Sequence, residues 1–363
     1  MLTCKKGEQR KMAQTKIEWA TDVWNPVTGC SKVSPGCENC YAERISHRFG
    51  WTTKPWTAAH AAENVNLHTE RLTEPLRWRK PRRVFVNSMS DLFHEVVPDW
   101  YIDQLFGIMM ACWLKNKSSH TFIILTKRPD RMQSYLSPEP VNLIERWSKS
   151  LDGVVIMDDP DMLFSEYVET VSSYESIFPL PNVWLGVTVE DQRWADERIP
   201  LLLQTPAVVR FVSCEPLLGP VDLTRINLGQ KLTQGYGSRR IEWDALTGWE
   251  KQYLPEATRP SVSISGPDRR INWVIVGGES GLGARPMHPD WVRDIRDQCR
   301  EANVPFFFKQ WGEWAPVHEH EPRIKGKLWF NFDPDTAVCR FGKKKAGRIL
   351  DGRTWDEMPD IIT

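Results

Sequence analysis

Six short apolar runs recur along this chain of 363 residues, and most are followed by a stretch with helical spacing. The runs are VFVNS (84–88), TFIILT (121–126), VWLGVTV (183–189), VVRFVS (208–213), WVIVGG (273–278) and PFFFKQW (305–311). Continuous apolar runs of this length are typical of strands buried on both faces of a parallel sheet. Helical patterns lie between them at about 98–115, 128–136, 190–204 and 289–302. The alternation predicts an α/β fold with parallel strands.

The number of strands favours a barrel over an open nucleotide-binding sheet. A candidate first strand at 16–24 brings the total to about seven. No G-x-G-x-x-G motif follows the first strand, so the dinucleotide-binding fingerprint of an open sheet is missing. We therefore predict a complete or partial TIM-like (β/α) barrel over residues 16–315.

Four segments interrupt or flank the barrel pattern. Residues 1–15 are polar and are expected to form a disordered N-terminal extension. Two polar segments, at about 138–181 and 222–270, are interpreted as loop insertions that are flexible or act as lids. Residues 316–363 are predicted to form a C-terminal hairpin appendage with its turn at Asp351-Gly352.

Charge and composition exclude several classes of protein. Lys and Arg together number 47, and so do Asp and Glu, so no global field for binding polyanions is indicated. No apolar run approaches the roughly 20 residues of a membrane helix. The N-terminus has no apolar core of a signal peptide, so we expect a cytoplasmic protein. In a reducing compartment, clustered cysteines favour metal binding over disulfides.

Three of the eight cysteines, Cys30, Cys37 and Cys40, follow the first predicted strand with the spacing C-x6-C-x2-C. Three thiolates can hold three irons of a 4Fe-4S cluster and leave the fourth iron open to a small molecule. A structural zinc needs four protein ligands, and His47 or His60 is the candidate for the fourth. Both kinds of metal site remain open at this point.

Polar residues follow the apolar runs at the ends where a parallel barrel places its reactive groups. One interpretation is that they only cap the following helices, which Asp91 in particular can do. Because polar residues follow six runs in succession, we expect them to line a polar site at the carboxyl ends of the strands. The candidate site residues among them are Ser88, Asp91, Lys127, Arg128, Glu190, Cys214, Glu215, Gly277, Gly278, Glu279, Ser280 and Lys309.

The stretch NPVTGCSKVSPGCENCYA resembles the cluster loop of radical S-adenosylmethionine enzymes, in which an aromatic residue such as Tyr41 here adjoins the last cysteine. The usual spacing in those enzymes is C-x3-C-x2-C, so the first gap is longer here. The chain also resembles an uncharacterised family of phage and prophage proteins, in stretches such as VFVNSMSDLFHEVVP, RFVSCEPLLGPVDL and WVIVGGESGLGARPM. The resemblance implies a barrel of the radical S-adenosylmethionine type.

The resemblance also implies a cofactor set. Cys30, Cys37 and Cys40 would hold the 4Fe-4S cluster, and its open iron would bind S-adenosyl-L-methionine. An external electron donor would reduce the cluster, and a 5′-deoxyadenosyl radical would then abstract hydrogen from the substrate. In many of these enzymes a Gly-Gly-Glu sequence follows the second strand. Here Gly277-Gly278-Glu279 follows a much later one.

Roles for the other candidates follow from the same resemblance. Ser88 or Asp91 is expected to contact the cofactor amino group, and Lys127 and Arg128 its carboxylate. Glu190 or Glu279 would contact ribose or substrate, and Tyr41, Gly277, Gly278 and Ser280 complete the cofactor contacts. The candidate catalytic residues are Cys214, Glu215 and Lys309.

One basic segment bears on the substrate. RWRKPRR (77–83) precedes the second strand and is either a solvated linker or a phosphate-binding segment. We expect a substrate related to nucleobases, either a nucleotide or DNA. The alternatives are a zinc-stabilised nucleic-acid-binding or hydrolytic barrel without redox chemistry, and a non-catalytic interaction module.

Overall fold

The computed structural model describes residues 15, 17–115, 120–154, 163–171, 177–233, 237–253, 261–264, 269–317 and 327–360. Its centre is a seven-stranded parallel sheet that curls into a half-barrel. The strands are β1 (Asp22–Trp24), β2 (Arg82–Val86), β3 (His120–Thr126), β4 (Val183–Thr188), β5 (Val209–Cys214), β6 (Trp273–Gly277) and β7 (Phe306–Gln310). They lie in the order of the chain, and every neighbouring pair is parallel. The predicted α/β fold is confirmed, and the barrel is a partial one.

Alternate residues of these strands face two different layers, as the pleat of a strand requires. Residues that face the inside of the half-barrel form an aromatic cluster, which includes Trp184, Phe211, Trp273 and Phe307. Gly186 makes room for this cluster, because a Cβ there would lie 2.4 Å from the ring of Phe211. The remaining strand residues pack against the helices in a second, larger core.

The helices occupy the four predicted positions and several others. They are α1 (Tyr41–Arg48), α2 (Ala61–Asn64), α3 (Asp99–Lys115), α4 (Pro129–Leu136), α5 (Pro140–Lys149), α6 (Phe164–Val171), α7 (Gln192–Gln204), α8 (Pro289–Glu301) and α9 (Lys343–Ala346). The Asp191 side chain caps α7 by accepting a hydrogen bond from the backbone N–H of Trp194 at 3.2 Å. No helix among the described residues has the length and apolar character needed to cross a membrane.

The two segments predicted as loop insertions contain regular structure where they are described. The first contains α5 and α6, and Trp147 of α5 stacks on Phe106 with ring centroids 4.9 Å apart. The second forms a four-stranded antiparallel sheet of Ile226–Thr233, Gly237–Asp244, Trp249–Tyr253 and Ser261–Ile264. Loops were the wrong prediction for these residues, because the polar content hid an amphipathic helix and an alternating hairpin.

The ends of the chain differ in how they compare with the predictions. Of the predicted extension at 1–15, all but Thr15 lies outside the described residues. In the tail, Trp314–Pro316, Trp329–Asn331 and Ala337–Arg340 form a three-stranded antiparallel sheet. Asp351 and Gly352 both have positive φ angles, 48° and 82°, and lie between the bridged residues 350 and 353. The predicted turn is therefore present, but the tail contains more than one hairpin.

Candidate active site

A cavity of about 630 Å³ lies at the carboxyl ends of the strands, above the aromatic cluster of the half-barrel. Most of the predicted site residues line it. They are Cys30, Cys37, Cys40, Tyr41, Ser88, Asp91, Lys127, Arg128, Glu215, Gly278, Glu279, Ser280 and Lys309. The parallel sheet brings these residues together because its strands all end at the same edge.

The cysteine loop, residues 29–40, starts where the chain leaves β1. Gly29 has a φ of +84°, and its N–H donates to the Met89 carbonyl at 3.0 Å. A Cβ at Gly29 would lie 1.8 Å from the Asn64 carbonyl oxygen, so only glycine fits here. The six-residue gap contains a 3-10 turn at Pro35–Cys37, and Cys40 immediately precedes α1.

Arg128 holds the first cysteine of the loop. Its Nη1 donates to the Cys30 sulfur at 3.6 Å and to Asp91 at 3.4 Å. Its Nη2 donates to the Ser31 carbonyl and hydroxyl oxygens, and its Nε donates to Glu95 at 2.9 Å. These five contacts use all five N–H groups of the guanidinium. Arg128 therefore supports the loop, and the predicted bond to a cofactor carboxylate would need one of these contacts to be given up.

Buried His94 supports the same part of the loop. Its Nδ1 accepts from the Val96 N–H at 3.1 Å, so Nε2 carries the proton and donates to the Ser31 hydroxyl at 2.9 Å. Burial lowers the pKa of His94 to about 4, and the nearby Arg128 guanidinium acts in the same direction. The imidazole is therefore neutral at physiological pH.

Glu190 holds the middle of the loop. Its Oε2 accepts from Arg198 at 2.9 Å and its Oε1 accepts from the Ser34 hydroxyl at 2.5 Å. Both charged side chains are almost completely buried. A Cβ at Gly36 would lie 2.4 Å from Oε1 of Glu190, so the Ser-Pro-Gly turn packs directly on the carboxylate. This contact gives the long gap between the first two cysteines a structural role.

Glu279 and Arg285 hold the end of the loop. The Glu279 carboxylate accepts from the Arg285 side chain at 2.7 and 3.0 Å and from the Asn39 amide at 3.0 Å. Arg285 also donates to the Pro35 carbonyl at 2.8 Å and to Glu38 at 3.1 Å. Burial alone raises the pKa of Glu279, but the hydrogen bonds from Arg285 outweigh it and lower the pKa. The glutamate of the Gly-Gly-Glu sequence thus holds the cysteine loop through hydrogen bonds.

The ends of β2 and β3 are joined by Asp91. Its carboxylate accepts from the Thr126 hydroxyl at 2.7 Å and from the Lys127 N–H at 2.9 Å. Tyr41 donates its hydroxyl proton to the Ser88 carbonyl. Because the Asp91 oxygens already accept from several protein groups, Ser88 is the better candidate of the two for a cofactor amino group.

Two of the three thiols are held in their protonated form by burial. Burial raises the pKa of Cys30 to about 12, with Arg128 acting in the opposite direction. Burial also raises the pKa of Cys40, and Lys127 lowers it in part. Within the described ranges, the Lys127 ammonium forms no hydrogen bond or ion pair, so it is available to an anionic ligand group. Three thiols directed into one cavity beside cationic groups fit a cluster that binds thiolates.

A second polar group lines the cavity at the ends of β5 and β7. Lys309 donates to Glu215 at 2.8 Å, and the Gln310 amide donates to the other Glu215 oxygen at 3.2 Å and to the Ser280 hydroxyl at 2.9 Å. Among the described atoms, Gln310 Oε1 and Asn87 Nδ2 are buried without a hydrogen-bond partner. Such atoms in a cavity wall are candidates for ligand contacts. Asn87 and Gln310 both lie at the carboxyl ends of strands, where polar residues follow the apolar runs of the sequence.

Three predicted residues lie outside the cavity lining. Cys214 is buried in the outer core, since its neighbour Ser213 faces the cavity and successive residues of a strand face opposite ways. We therefore withdraw its assignment as a catalytic residue. Glu190 lies behind the cysteine loop and is not placed to contact ribose. Gly277 leaves room for Glu215, whose Cδ would lie 3.2 Å from a Cβ there.

Four residues that hold the loop were not predicted: Ser34, His94, Arg198 and Arg285. For Ser34, the signal was the Ser-Pro-Gly sequence in the unusually long gap. For the other three, the sequence carries no local signal, because their partners are distant along the chain.

Comparison with known proteins places the chain in a family. No curated protein matches it, and no solved structure matches it. A model of a protein family, described as a protein of unknown function (DUF5131), matches residues 14–359. Since this match spans nearly the whole sequence, the chain belongs to the DUF5131 family.

Proposed function

We propose that this protein is a radical S-adenosylmethionine enzyme in which Cys30, Cys37 and Cys40 hold a 4Fe-4S cluster. The observation that supports it is the three-cysteine loop, which lines a cavity at the carboxyl ends of a parallel half-barrel. When bound, the cluster and S-adenosyl-L-methionine supply a 5′-deoxyadenosyl radical that abstracts hydrogen from the substrate.

The chain's own residues shape the site for this cofactor pair. Arg128 offsets negative charge at Cys30 through its hydrogen bond to the sulfur. The unpaired Lys127 ammonium is placed to bind the carboxylate of the cofactor methionine, and Ser88 is the candidate for its amino group. The aromatic cluster below the cavity excludes water from the floor of the site.

Substrate binding is assigned to the polar group at the ends of β5 and β7. There Lys309 and Glu215 form an ion pair that is only partly buried, so both groups can reach a ligand. Gln310 Oε1 can accept a hydrogen bond that no described protein group donates. This polar group therefore orients a polar substrate, and Lys309 is the candidate for holding or moving a proton there.

The zinc alternative is less well supported. The reason is that the two candidate fourth ligands are engaged elsewhere. His47 hydrogen-bonds to the Lys54 carbonyl at 3.0 Å, and His60 lies 3.4 Å from the Glu63 carboxylate.

The decisive experiment is a metal assay on protein purified without oxygen. We expect about four irons and four sulfides per chain, and their loss in Cys37→Ala. The matched control is Cys214→Ala, which removes a thiol from the core and leaves the cavity intact. Stoichiometric zinc without iron would refute the proposal.

A second measurement tests the radical step. With dithionite as reductant, the protein should cleave S-adenosyl-L-methionine to 5′-deoxyadenosine. An intact cluster that yields no 5′-deoxyadenosine would also contradict the proposal.

A further inference from the structure

One rim of the cavity ends in a group of exposed lysines. Lys343 lines the cavity, and it begins the short helix α9 with Lys344 and Lys345. All three are exposed, and none of their ammonium groups pairs with an acidic side chain within the described part of the chain. Three adjacent unpaired cations form a site for a polyanion, because each can neutralise one phosphate.

Two large aromatic rings lie exposed beyond the last turn of α1, the helix whose residues Tyr41, Ala42 and Ile45 line the cavity. Phe49 and Trp51 follow α1 and are 62% and 55% exposed, and their rings are stacked with centroids 5.4 Å apart. The Arg48 guanidinium lies 5.8 Å from the centre of the Phe49 ring. Exposed stacked rings beside a cation resemble the platforms on which single-stranded bases stack.

A continuous set of contacts joins the two ends. Arg44 of α1 donates to the Ser280 carbonyl at 2.9 Å. The next residue, Gly281, donates its N–H to Glu313 and accepts from Arg340 at 3.0 Å. Gly342, directly before α9, donates its N–H to the Glu313 carbonyl at 3.0 Å. These contacts join α1, which ends beside the aromatic pair, to the loop after β6 and to the segment that carries the three lysines, and we call this surface the rim.

We propose that this rim, defined by Phe49, Trp51 and Lys343–Lys345, binds a single-stranded nucleic acid and presents one of its bases to the cavity. The inference rests on the proposed function, since it names the substrate class of that same site. The three lysines bind phosphates, and the aromatic pair stacks a neighbouring base. The strand is single because a base within a duplex cannot reach a buried site unless it is extruded.

The basic segment at 77–83 does not carry this role. It leads into β2 at the amino ends of the strands, opposite the cavity. Arg82 is paired with Asp22, and its guanidinium lies 4.8 Å from the centre of the Trp78 ring. One of the segment's five basic residues is therefore compensated within the fold, and the segment lies away from the cavity.

The test is a binding titration with fluorescent single-stranded DNA and RNA oligonucleotides over a series of salt concentrations. The plot of log K against log salt has a negative slope, and each single-strand phosphate contact contributes about 0.7 to its steepness. Replacing Lys343, Lys344 and Lys345 with alanine should therefore make the slope shallower by about 2. The Phe49→Ala/Trp51→Ala variant should bind about 5- to 150-fold more weakly, with little change in slope. Lys149→Ala, a substitution on α5 away from the cavity, should match the wild type.

Three outcomes would overturn the inference. The first is an unchanged affinity and salt slope in both rim variants. The second is a duplex that binds as tightly as a single strand. The third is binding to anionic lipid vesicles without binding to oligonucleotides. The assay reads binding and not turnover, so a protein without a cluster that still binds through the rim would refute the proposed function alone. A protein with its cluster that does not bind would refute only this inference.

Discussion

Glu190→Gln is the substitution whose effect the structure specifies most closely. The change keeps the size of the side chain and removes its charge. The buried guanidinium of Arg198 then faces the Thr188 carbonyl, at 2.7 Å, and a neutral amide that offers a single acceptor oxygen in place of the carboxylate. The Trp194 ring, 4.1 Å from the guanidinium carbon, supplies only a weaker cation–π contact.

The magnitude follows from the burial of the pair. The two side chains are 0% and 1% exposed, so solvent cannot screen the unpaired charge. Removing one partner of a buried ion pair typically costs about 3–5 kcal/mol. We expect a loss of this size in the free energy of unfolding. The one amide oxygen cannot accept from both Arg198 and the Ser34 hydroxyl, so the turn at Ser34 should be weakened and the iron content should fall as well.

The assay is urea unfolding of the metal-free protein, followed by iron analysis after reconstitution. The matched control is the double variant Glu190→Gln/Arg198→Met, in which no charge remains buried. It should recover a large part of the lost stability, because the cost arises from the unpaired guanidinium and not from a missing contact. A loss below about 1 kcal/mol, or a double variant no more stable than the single one, would refute this reasoning.

Three further predictions concern the core and the site. Because burial lowers the pKa of His94 to about 4, below its ordinary value of 6.5, the unfolded chain binds the proton first. The stability that depends on neutral His94 is thus present above pH 6.5 and is lost as the pH falls toward 4, by up to about 3 kcal/mol. His94→Gln should flatten that part of the pH profile in urea unfolding, and an unchanged profile would contradict the assignment. Cys214→Ala should cost about 1 kcal/mol with unchanged iron content, and iron loss would return Cys214 to the site. Gly278→Ala would place a Cβ 2.0 Å from the Trp311 carbonyl oxygen, so we expect a loss of about 1–3 kcal/mol or more by thermal melting, and a stable variant would refute the packing.

The half-barrel was predictable because its signals are local. Each strand is an apolar run bounded by polar residues, and α3, α4, α7 and α8 show helical spacing within single windows. The cavity was predictable for a related reason. Once the strands are parallel, the residues that follow them must meet at one edge.

The roles of individual site residues were less predictable because they depend on pairing across the fold. Arg128 and Glu279 stand at strand ends, where either a ligand or a protein group can be the partner. The structure shows that their partners are protein groups, and that these include residues of the cysteine loop. Cys214 was assigned to the wrong face of its strand. Successive residues of a strand face opposite sides of the sheet, so an error of one residue exchanges the cavity for the core. The helices and the antiparallel sheet within the two insertions were not predicted, because the polar composition of these segments was given more weight than the spacing of their apolar residues.

The contacts that hold the cysteine loop also imply an order of folding. Ser34 meets Glu190 across 156 residues of chain, Asn39 meets Glu279 across 240, and Pro35 meets Arg285 across 250. Contacts between such distant residues form only after the intervening strands have been placed. During synthesis the first part of the loop can meet Arg128 early, but Asn39 and Pro35 remain without their partners until the chain has passed Arg285. The proposed cluster would therefore be inserted late, and chains that end before β6 would lack the contacts that hold the end of the cysteine loop.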